Sequence, residues 1–139
     1  MKREVLVFHR DAMFDRLSGS PDDLQRRVWV IGGENADNSF SGIFTRRRRN
    51  DIATQPWRYH DDEEVEFIVE GRMELEYKTK DGVVQHVELG PGDLFCIPAG
   101  VRHRADSIGD ELCVGLLFCP TRYLTTDGQP FFLDGEERA

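Results

Sequence analysis

Short apolar runs separated by turn residues make up the chain from Val65 onward. Between 73 and 78 apolar residues alternate with charged ones, and Asp81-Gly82 is a dipeptide that favours a hairpin turn. Because successive side chains of a strand point to opposite faces, this alternation predicts strands with one buried face. The turn signals recur at close intervals, which is typical of an antiparallel sandwich or barrel and not of βαβ units. The strands predicted in this part are 65–70, 73–78, 83–89, 94–97, 103–106 and 112–118.

The upstream part of the chain carries two more strand patterns. Residues 27–31 and 40–46 are predicted as strands on either side of a turn at 32–35, and residues 21–26 favour a single helical turn. The tail after Pro120 is poorly specified, and no internal repeat or linker composition interrupts the chain. We therefore predict an all-β protein in which residues 1–139 form a single domain, with a core barrel at about 27–119 and short terminal extensions.

Composition narrows the class of protein. A length of 139 residues fits one domain, and 39% hydrophobic with 32% charged residues is the composition of a folded chain. The net charge of −8 argues against a nucleic-acid partner, because phosphate binding requires a surplus of Lys and Arg on one face; the arginine run at 46–49 is the local exception. No apolar stretch approaches the ~20 residues that cross a bilayer, and the N-terminus lacks the apolar segment of a signal peptide, so we expect no membrane partner and a cytoplasmic location.

The three cysteines point to a reducing compartment. Cys96, Cys113 and Cys119 are odd in number and lie in or beside apolar runs, as reduced core cysteines do. We expect no disulfide. The cysteines also lack CxxC spacing, which leaves a structural zinc ribbon without ligands.

Two segments about 30 residues apart supply side chains suited to metal binding. In the second segment Gly92, Pro98, Gly100 and His103 follow one another with five, one and two residues between them. This spacing resembles the second motif of the cupin superfamily, with Ser107 where that motif usually has Asn. The glycine and proline positions shape the turns, after which His103 enters the barrel on the following strand.

The first segment resembles the first cupin motif, which is His-x-His, three or four residues, Glu, six residues and Gly. This chain has Arg58 at the first His position, followed by His60, Glu64 and Gly71. The resemblance implies a cupin barrel, that is, a double-stranded β-helix or jelly roll, with metal ligands His60, Glu64 and His103. If the stretch is extended, Arg58 and His60 face the same side, so Arg58 is a candidate anion clamp; a salt bridge at the barrel mouth with a nearby glutamate is the alternative.

Two His and one Glu are also the ligands of the facial triad in non-haem iron oxygenases. Such a triad leaves up to three coordination positions open for a substrate and dioxygen. We therefore expect one Fe(II) per chain, with dioxygen as co-substrate. Zinc would use the same side chains, and the sequence does not separate the two metals.

Within the cupins, the sequence is similar to the 3-hydroxyanthranilate 3,4-dioxygenases over roughly 29–119, at 59–64, 92–95 and 101–103. The similarity implies a non-haem dioxygenase that cleaves or rearranges an electron-rich hydroxylated aromatic or heteroaromatic ring of the catechol, aminophenol or dihydroxypyridine type. Pro56 and Ser107 stand where that family has substrate-anchoring arginines, so we expect a different substrate. Candidates for contacting it are Arg58, Arg104 or an arginine of the run at 46–49. Glu66 is a candidate base beside the metal ligands, or a solvent-exposed residue.

Two other classes of function remain open. A cupin can use its metal as a Lewis acid for isomerase or lyase chemistry without dioxygen, or it can bind a small molecule without catalysis.

The strand at 65–70 has an apolar row on the face opposite Glu64 and Glu66, formed by Val65, Phe67 and Val69. This row requires a cover. A homodimer through sheet faces provides one, and an N-terminal segment folded over the sheet is the alternative.

Overall fold

The structure is a computed structural model that describes residues 7, 9–17, 25–31, 40–60, 63–120 and 135–137. One helix, α1 (Arg10–Leu17), and one 3-10 turn (Ile52–Thr54) accompany the strands. The strands are β1 (Gln25–Ile31), β2 (Phe40–Arg47), β3 (Trp57–Tyr59), β4 (Glu64–Glu70), β5 (Met73–Lys78), β6 (Val84–Leu89), β7 (Leu94–Ile97), β8 (His103–Ser107), β9 (Cys113–Pro120) and β10 (Gly135–Glu137). No helix in this part of the chain combines the length and apolar character needed to cross a bilayer.

The described strands form two five-stranded sheets in which the paired strands are antiparallel. Sheet A has the order β1-β2-β9-β4-β7, and sheet B has the order β10-β3-β8-β5-β6. Strands β4 to β9 pass back and forth between the two sheets, which is the crossing pattern of a jelly roll. The predicted all-β fold is therefore confirmed. Each motif places one predicted ligand at the start of a strand: Glu64 begins β4 of sheet A, and His103 begins β8 of sheet B.

One local prediction is wrong. Gln25 and Arg26 belong to β1 and pair with Arg47 and Arg46 of β2, so the helical turn expected at 21–26 does not include them. The backbone pairing with β2 determines the conformation of these polar residues, whose side chains carry no strand pattern of their own. Residues 21–24 and the turn expected at 32–35 lie outside the described residues.

The apolar core fills the interior of the two sheets. Its buried side chains are Ile68, Met73, Leu75, Leu89, Phe95, Ile97 and Cys113. Gly71, between β4 and β5, has a φ of 78°, and a Cβ at this position would collide with the backbone carbonyl oxygen of Leu112. The glycine of the first motif is therefore required both by backbone conformation and by the close approach of the chain that enters β9.

The outer face of sheet A is partly covered by the N-terminal helix. Phe14 of α1 packs edge-on against Phe44 of β2, with ring centroids 6.4 Å apart, and both rings pack with Val69 around Val114. This contact provides, for the part of the row containing Val69, the N-terminal cover that was the alternative to a homodimer. Phe67 and its cross-strand partner Leu94 remain 38% and 59% exposed, so the cover does not extend over this part of sheet A.

Cys96 and Cys113 are free cysteines, while the side chain of the third cysteine lies outside the described part of the structure. Cys113 is buried in the core and Cys96 is exposed. Burial raises the pKa of the Cys113 thiol to about 11. Cys113 therefore remains a neutral, apolar part of the interior at physiological pH.

Asp106 fastens the segment after β2 to sheet B. Its Oδ1 accepts hydrogen bonds from the backbone N–H groups of Asn50 (2.8 Å) and Ser107 (2.9 Å), and the side chain is buried. Its Oδ2 is buried and has no hydrogen-bond partner among the described residues. Burial raises the pKa of this carboxyl group, and the two backbone hydrogen bonds offset that effect only in part. Ionised Asp106 is thus less favourable in the folded protein than in the unfolded chain.

Asp106→Asn keeps the Oδ1 acceptor and removes the charge, so the variant is expected to gain stability relative to the parent as pH rises. The folded-state pKa of Asp106 lies above its unfolded value of about 3.9, so the parent loses stability as pH rises through the folded pKa. The variant lacks this loss. Urea unfolding of both proteins from about pH 4 to about pH 8 measures the difference. An equal advantage of the variant at every pH would contradict the expectation, and Asp110→Asn, at an exposed position, is the control.

Candidate metal centre

His103 is the first residue of β8, and its ring orientation is fixed by the backbone that precedes it. The Nδ1–H group of His103 donates to the carbonyl oxygen of Val101 at 2.9 Å. A carbonyl oxygen only accepts, so the proton of the neutral ring lies on Nδ1 and the lone pair lies on Nε2. This is the arrangement found in metal-binding histidines, whose second ring nitrogen is held by a hydrogen bond.

His60 and Glu64 flank the connection between β3 and β4. The N–H group of Gly100 donates to the carbonyl oxygen of His60 at 2.8 Å, so the turn of the second motif holds the backbone of the first. Glu64 is the first residue of β4 and pairs with Ile97 of β7. His60, Glu64 and His103 are all buried. Burial of three polar side chains at one place requires that they satisfy one another or hold a ligand.

The three side chains converge with the spacing of metal ligands. One nitrogen or oxygen atom from each residue lies within 4.8 Å of the other two. Nε2 of His60 is 3.1 Å and Nε2 of His103 is 3.5 Å from Oε2 of Glu64. Two atoms bound to one ion at about 2.1 Å with an angle of about 90–110° lie about 3.0–3.4 Å apart. The side chains present therefore fit one divalent ion.

The charge of Glu64 suits the same role. Burial raises the pKa of its carboxyl group, but His103 and His60, which donate to Glu64 and attract it when Nε2 carries a proton, outweigh burial and hold the pKa well below its ordinary value. Glu64 is therefore ionised across the physiological range. Two imidazole nitrogens and one carboxylate oxygen are ligands that iron and zinc both accept.

Comparison with known proteins identifies the fold family. Residues 52–119, which include all three converging side chains, match the family described as Cupin domain. The chain contains a cupin domain. The solved structures agree: a cupin-2 domain containing protein from Shewanella frigidimarina superposes with a TM-score of 0.61 at 19% identity, covering 82% of this chain and 94% of that one. KdgF from a Halomonas species gives a TM-score of 0.54 at 20% identity over 73% of this chain and 85% of its own.

Curated relatives carry the name acireductone dioxygenase. The protein from Bacillus thuringiensis subsp. konkukian is 36% identical over 77 residues, which cover 55% of this chain and 43% of the relative. The protein from Bacillus pumilus is 37% identical over 70 residues, which cover 50% of this chain and 38% of the relative. The chain thus spans less than half the length of the curated relatives that it matches. Their name agrees with the predicted link between this cupin domain and dioxygenases.

Arg58 of the cupin domain lies beside the converging ligands but is exposed. Its Cα is the register partner of His103, and directly opposed residues of an antiparallel pair project to the same face. Arg58 therefore shares a face of sheet B with the buried histidine while its side chain reaches solvent. On its other side, β10 places the backbone of Glu136 opposite Arg58. This position is the rim of the candidate metal centre.

Glu66 of the cupin domain is completely buried, which excludes the solvent-exposed position considered from the sequence. Its Oε1 accepts from Nη1 of Arg47 and from the hydroxyl of Thr45 (3.3 Å), and its Oε2 accepts from Nη2 of Arg47 (3.1 Å). Arg47 is thus the member of the arginine run that reaches the interior beside Glu66. The sequence indicated that an arginine of this run could contact a substrate, but it showed neither which one faces inward nor the pairing with Glu66.

Arg104 faces away from the candidate ligands. It follows His103 on β8, so strand alternation places it on the outer face of sheet B. Its Nε and Nη2 donate to Oε2 of Glu76 at 2.9 and 2.8 Å, its guanidinium lies 4.2 Å from the centre of the Trp57 ring, and its Nη1 donates to the carbonyl oxygen of Gln55. These contacts hold the segment before β3 against sheet B. The structure therefore does not bring Arg104 together with the other predicted site residues.

Proposed function

We propose that this cupin domain is an Fe(II)-dependent dioxygenase acting on a small, electron-rich molecule with two adjacent oxygen or nitrogen donors. The observation that carries the proposal is the buried convergence of His60, Glu64 and His103 in a ligand set that leaves coordination positions open. The name shared by the curated relatives supports the use of dioxygen. A divalent iron held by these residues would supply Lewis acidity and one-electron chemistry at a single centre.

The protein residues perform separate tasks in this proposal. Ionised Glu64 balances positive charge at the centre, and the hydrogen bond from Nδ1 of His103 to Val101 keeps Nε2 directed inward. The surrounding sheets exclude bulk water from the reacting atoms. Arg58, on the rim, attracts and orients an anionic substrate. Arg104 acts only by holding the neighbouring segment, and Glu66 acts through Arg47, because its carboxylate oxygens already accept from Arg47 and Thr45.

Two groups of candidate substrates share the same metal-binding chemistry, and this shared chemistry defines the proposed substrate class. Catechols, aminophenols and dihydroxypyridines carry adjacent donors on an aromatic ring, and an acireductone carries them on a ring-free enediol. Both groups can chelate one metal through neighbouring heteroatoms. The proposed reaction breaks a carbon–carbon bond of the electron-rich unit and places both atoms of dioxygen in the products. The substrate supplies all the electrons, so no external reductant is required.

The test uses the full chain, purified without oxygen and loaded separately with Fe(II), Zn(II) or Ni(II). Each form is mixed with a catechol, an aminophenol, a dihydroxypyridine and an acireductone, and oxygen uptake is recorded. We expect uptake with Fe(II), incorporation of both atoms of isotopically heavy dioxygen, and loss of uptake in Glu64→Ala. Turnover without oxygen uptake would replace the proposal by metal-dependent isomerase or lyase chemistry. Binding without turnover in any metal form would replace it by a non-catalytic binding function.

Two further proposals concern the oligomeric state of the protein and its cellular location. The apolar surface left uncovered at Phe67 and Leu94 supports a homodimer formed through the outer face of sheet A. Sedimentation of the parent and of Phe67→Ser tests this proposal, since the variant is expected to shift a dimer toward monomer.

Free cysteines support a cytoplasmic location, where thiols remain reduced.

A further inference from the structure

A buried ion pair lies in the interior next to the proposed metal ligands. Glu66 and Glu64 are two residues apart on β4 and therefore project to the same inner face of sheet A. Glu66 is completely buried, whereas the side chain of Arg47 is 15% exposed. Burial lowers the pKa of Arg47, but attraction to Glu66 and, more weakly, to Glu64 outweighs burial and raises the pKa above its ordinary value. A fixed positive charge is thus present close to the metal-binding strand.

The fold makes specific room for this pair. Gly115 of β9 lies between β2 and β4, in register with Thr45 on one side and Ile68 on the other. A Cβ at Gly115 would overlap Oε1 of Glu66. The absent side chain therefore allows the carboxylate to cross β9 and reach Thr45 and Arg47 on β2. A buried charged pair brings little net stability compared with apolar residues, so the pair is more simply explained by function than by folding.

Glu66 uses only two of the N–H donors of the Arg47 guanidinium. A guanidinium has five N–H donors, and in Arg47 one from Nη1 and one from Nη2 are directed to Glu66. The other three have no partner among the residues that the structure describes. The carboxylate fixes the plane of the guanidinium, which fits an arginine held in place to bind a second planar anion.

We infer that Arg47 recognises an anionic group of the substrate away from the atoms that bind the metal, and that Glu66 positions Arg47 for this contact. The inference rests on the proposed function and narrows its substrate class to chelating molecules that also carry a carboxylate. Glu66 is then a positioning residue, and Gly115 provides the space that the arrangement requires.

The test compares protocatechuate with its neutral amide, which has the same chelating hydroxyl groups and nearly the same size. Each is titrated calorimetrically, without oxygen, into the Zn(II)-loaded full chain, so that affinity is read without turnover. We expect the carboxylate to bind about 10-fold to 100-fold more tightly than the amide, the range for a hydrogen bond to a charged group. Arg47→Lys should retain part of this preference. The double variant Arg47→Met/Glu66→Met, which removes both buried charges, should lose this preference, with a much smaller loss of affinity for the amide than for the carboxylate.

A matched pair on the outer surface provides the control. Arg72 and Glu88 form an exposed ion pair at 2.9 Å, and Arg72→Met/Glu88→Met should keep the full preference for the carboxylate. Equal affinity of the parent for both ligands would overturn the role of Arg47 and leave the proposed function standing. Preference retained in the Arg47→Met/Glu66→Met variant would also overturn it. If neither ligand bound a protein that holds zinc, this substrate class would be excluded, and the inference with it.

Discussion

Removing any one of His60, Glu64 or His103 is expected to weaken zinc or iron binding by more than about a hundredfold, since loss of an outer-sphere partner alone costs about 10–100-fold. Each residue provides one of three ligand atoms within 4.8 Å, so an alanine leaves a pair that cannot hold an ion with the same geometry. Elemental analysis after dialysis and calorimetric titration with Zn(II) measure the effect in His60→Ala, Glu64→Ala and His103→Ala.

The chain offers a close control for these variants. Nε2 of His86 lies 3.2 Å from Oε2 of Glu74, almost the same separation as between His60 and Glu64. This pair lies on the exposed surface and has no third ligand among the residues that the structure describes. His86→Ala should therefore bind metal like the parent. If His86→Ala lost the metal, or if a triad variant kept it at full affinity, the assignment of the metal centre would be wrong.

Arg47→Met is expected to destabilise the fold by about 3–5 kcal/mol, because it leaves the completely buried carboxylate of Glu66 without its charged partner. A loss of this size is a large fraction of the stability of a small domain, about 5–15 kcal/mol. Denaturant unfolding of metal-free protein measures it. The hydroxyl of Thr45 remains as a donor to Glu66, but a neutral hydroxyl does not replace a guanidinium.

The double variant Arg47→Met/Glu66→Met separates the penalty of an unpaired charge from the value of the pair. Replacing both members of a buried pair by apolar residues of similar size is often neutral or stabilising, so we expect the double variant to lie within about 1 kcal/mol of the parent. A double variant as unstable as Arg47→Met alone would show that packing around the methionine, and not the orphaned carboxylate, causes the loss. Arg72→Met, at an exposed ion pair, should change stability by less than about 0.5 kcal/mol.

Strand periodicity predicted most of the sheets with errors of one or two residues. The strand expected at 65–70 is β4 (Glu64–Glu70), and that expected at 83–89 is β6 (Val84–Leu89). Here each strand carries its own alternation or apolar run, so local sequence is sufficient. By contrast, β10 consists of Gly-Glu-Glu and exists through pairing with β3, and α1 was missed because only part of its surface contacts the sheet through Phe14. Elements formed by tertiary contacts leave little trace in a local pattern.

The residues of the candidate site also fall into those that the sequence predicted and those that it could not predict. His60, Glu64 and His103 were proposed from the spacing within two motifs, and the structure brings them together. The pair formed by Arg47 and Glu66 could not be found in that way, because it depends on the register of β2 and β4 against the strand between them. A register cannot be read from one strand alone. The glycine at 115, in an otherwise apolar run, was the available sign that something crosses the strand at that position.

The three candidate ligands are divided between the sheets: Glu64 begins β4 of sheet A, His103 begins β8 of sheet B, and His60 follows β3 of sheet B. An ion bound to all three is therefore a cross-link between the two layers of the sandwich. Its binding energy then adds to the cohesion of the whole barrel. Loss of the metal would accordingly loosen the contact between the two sheets as well as empty the site.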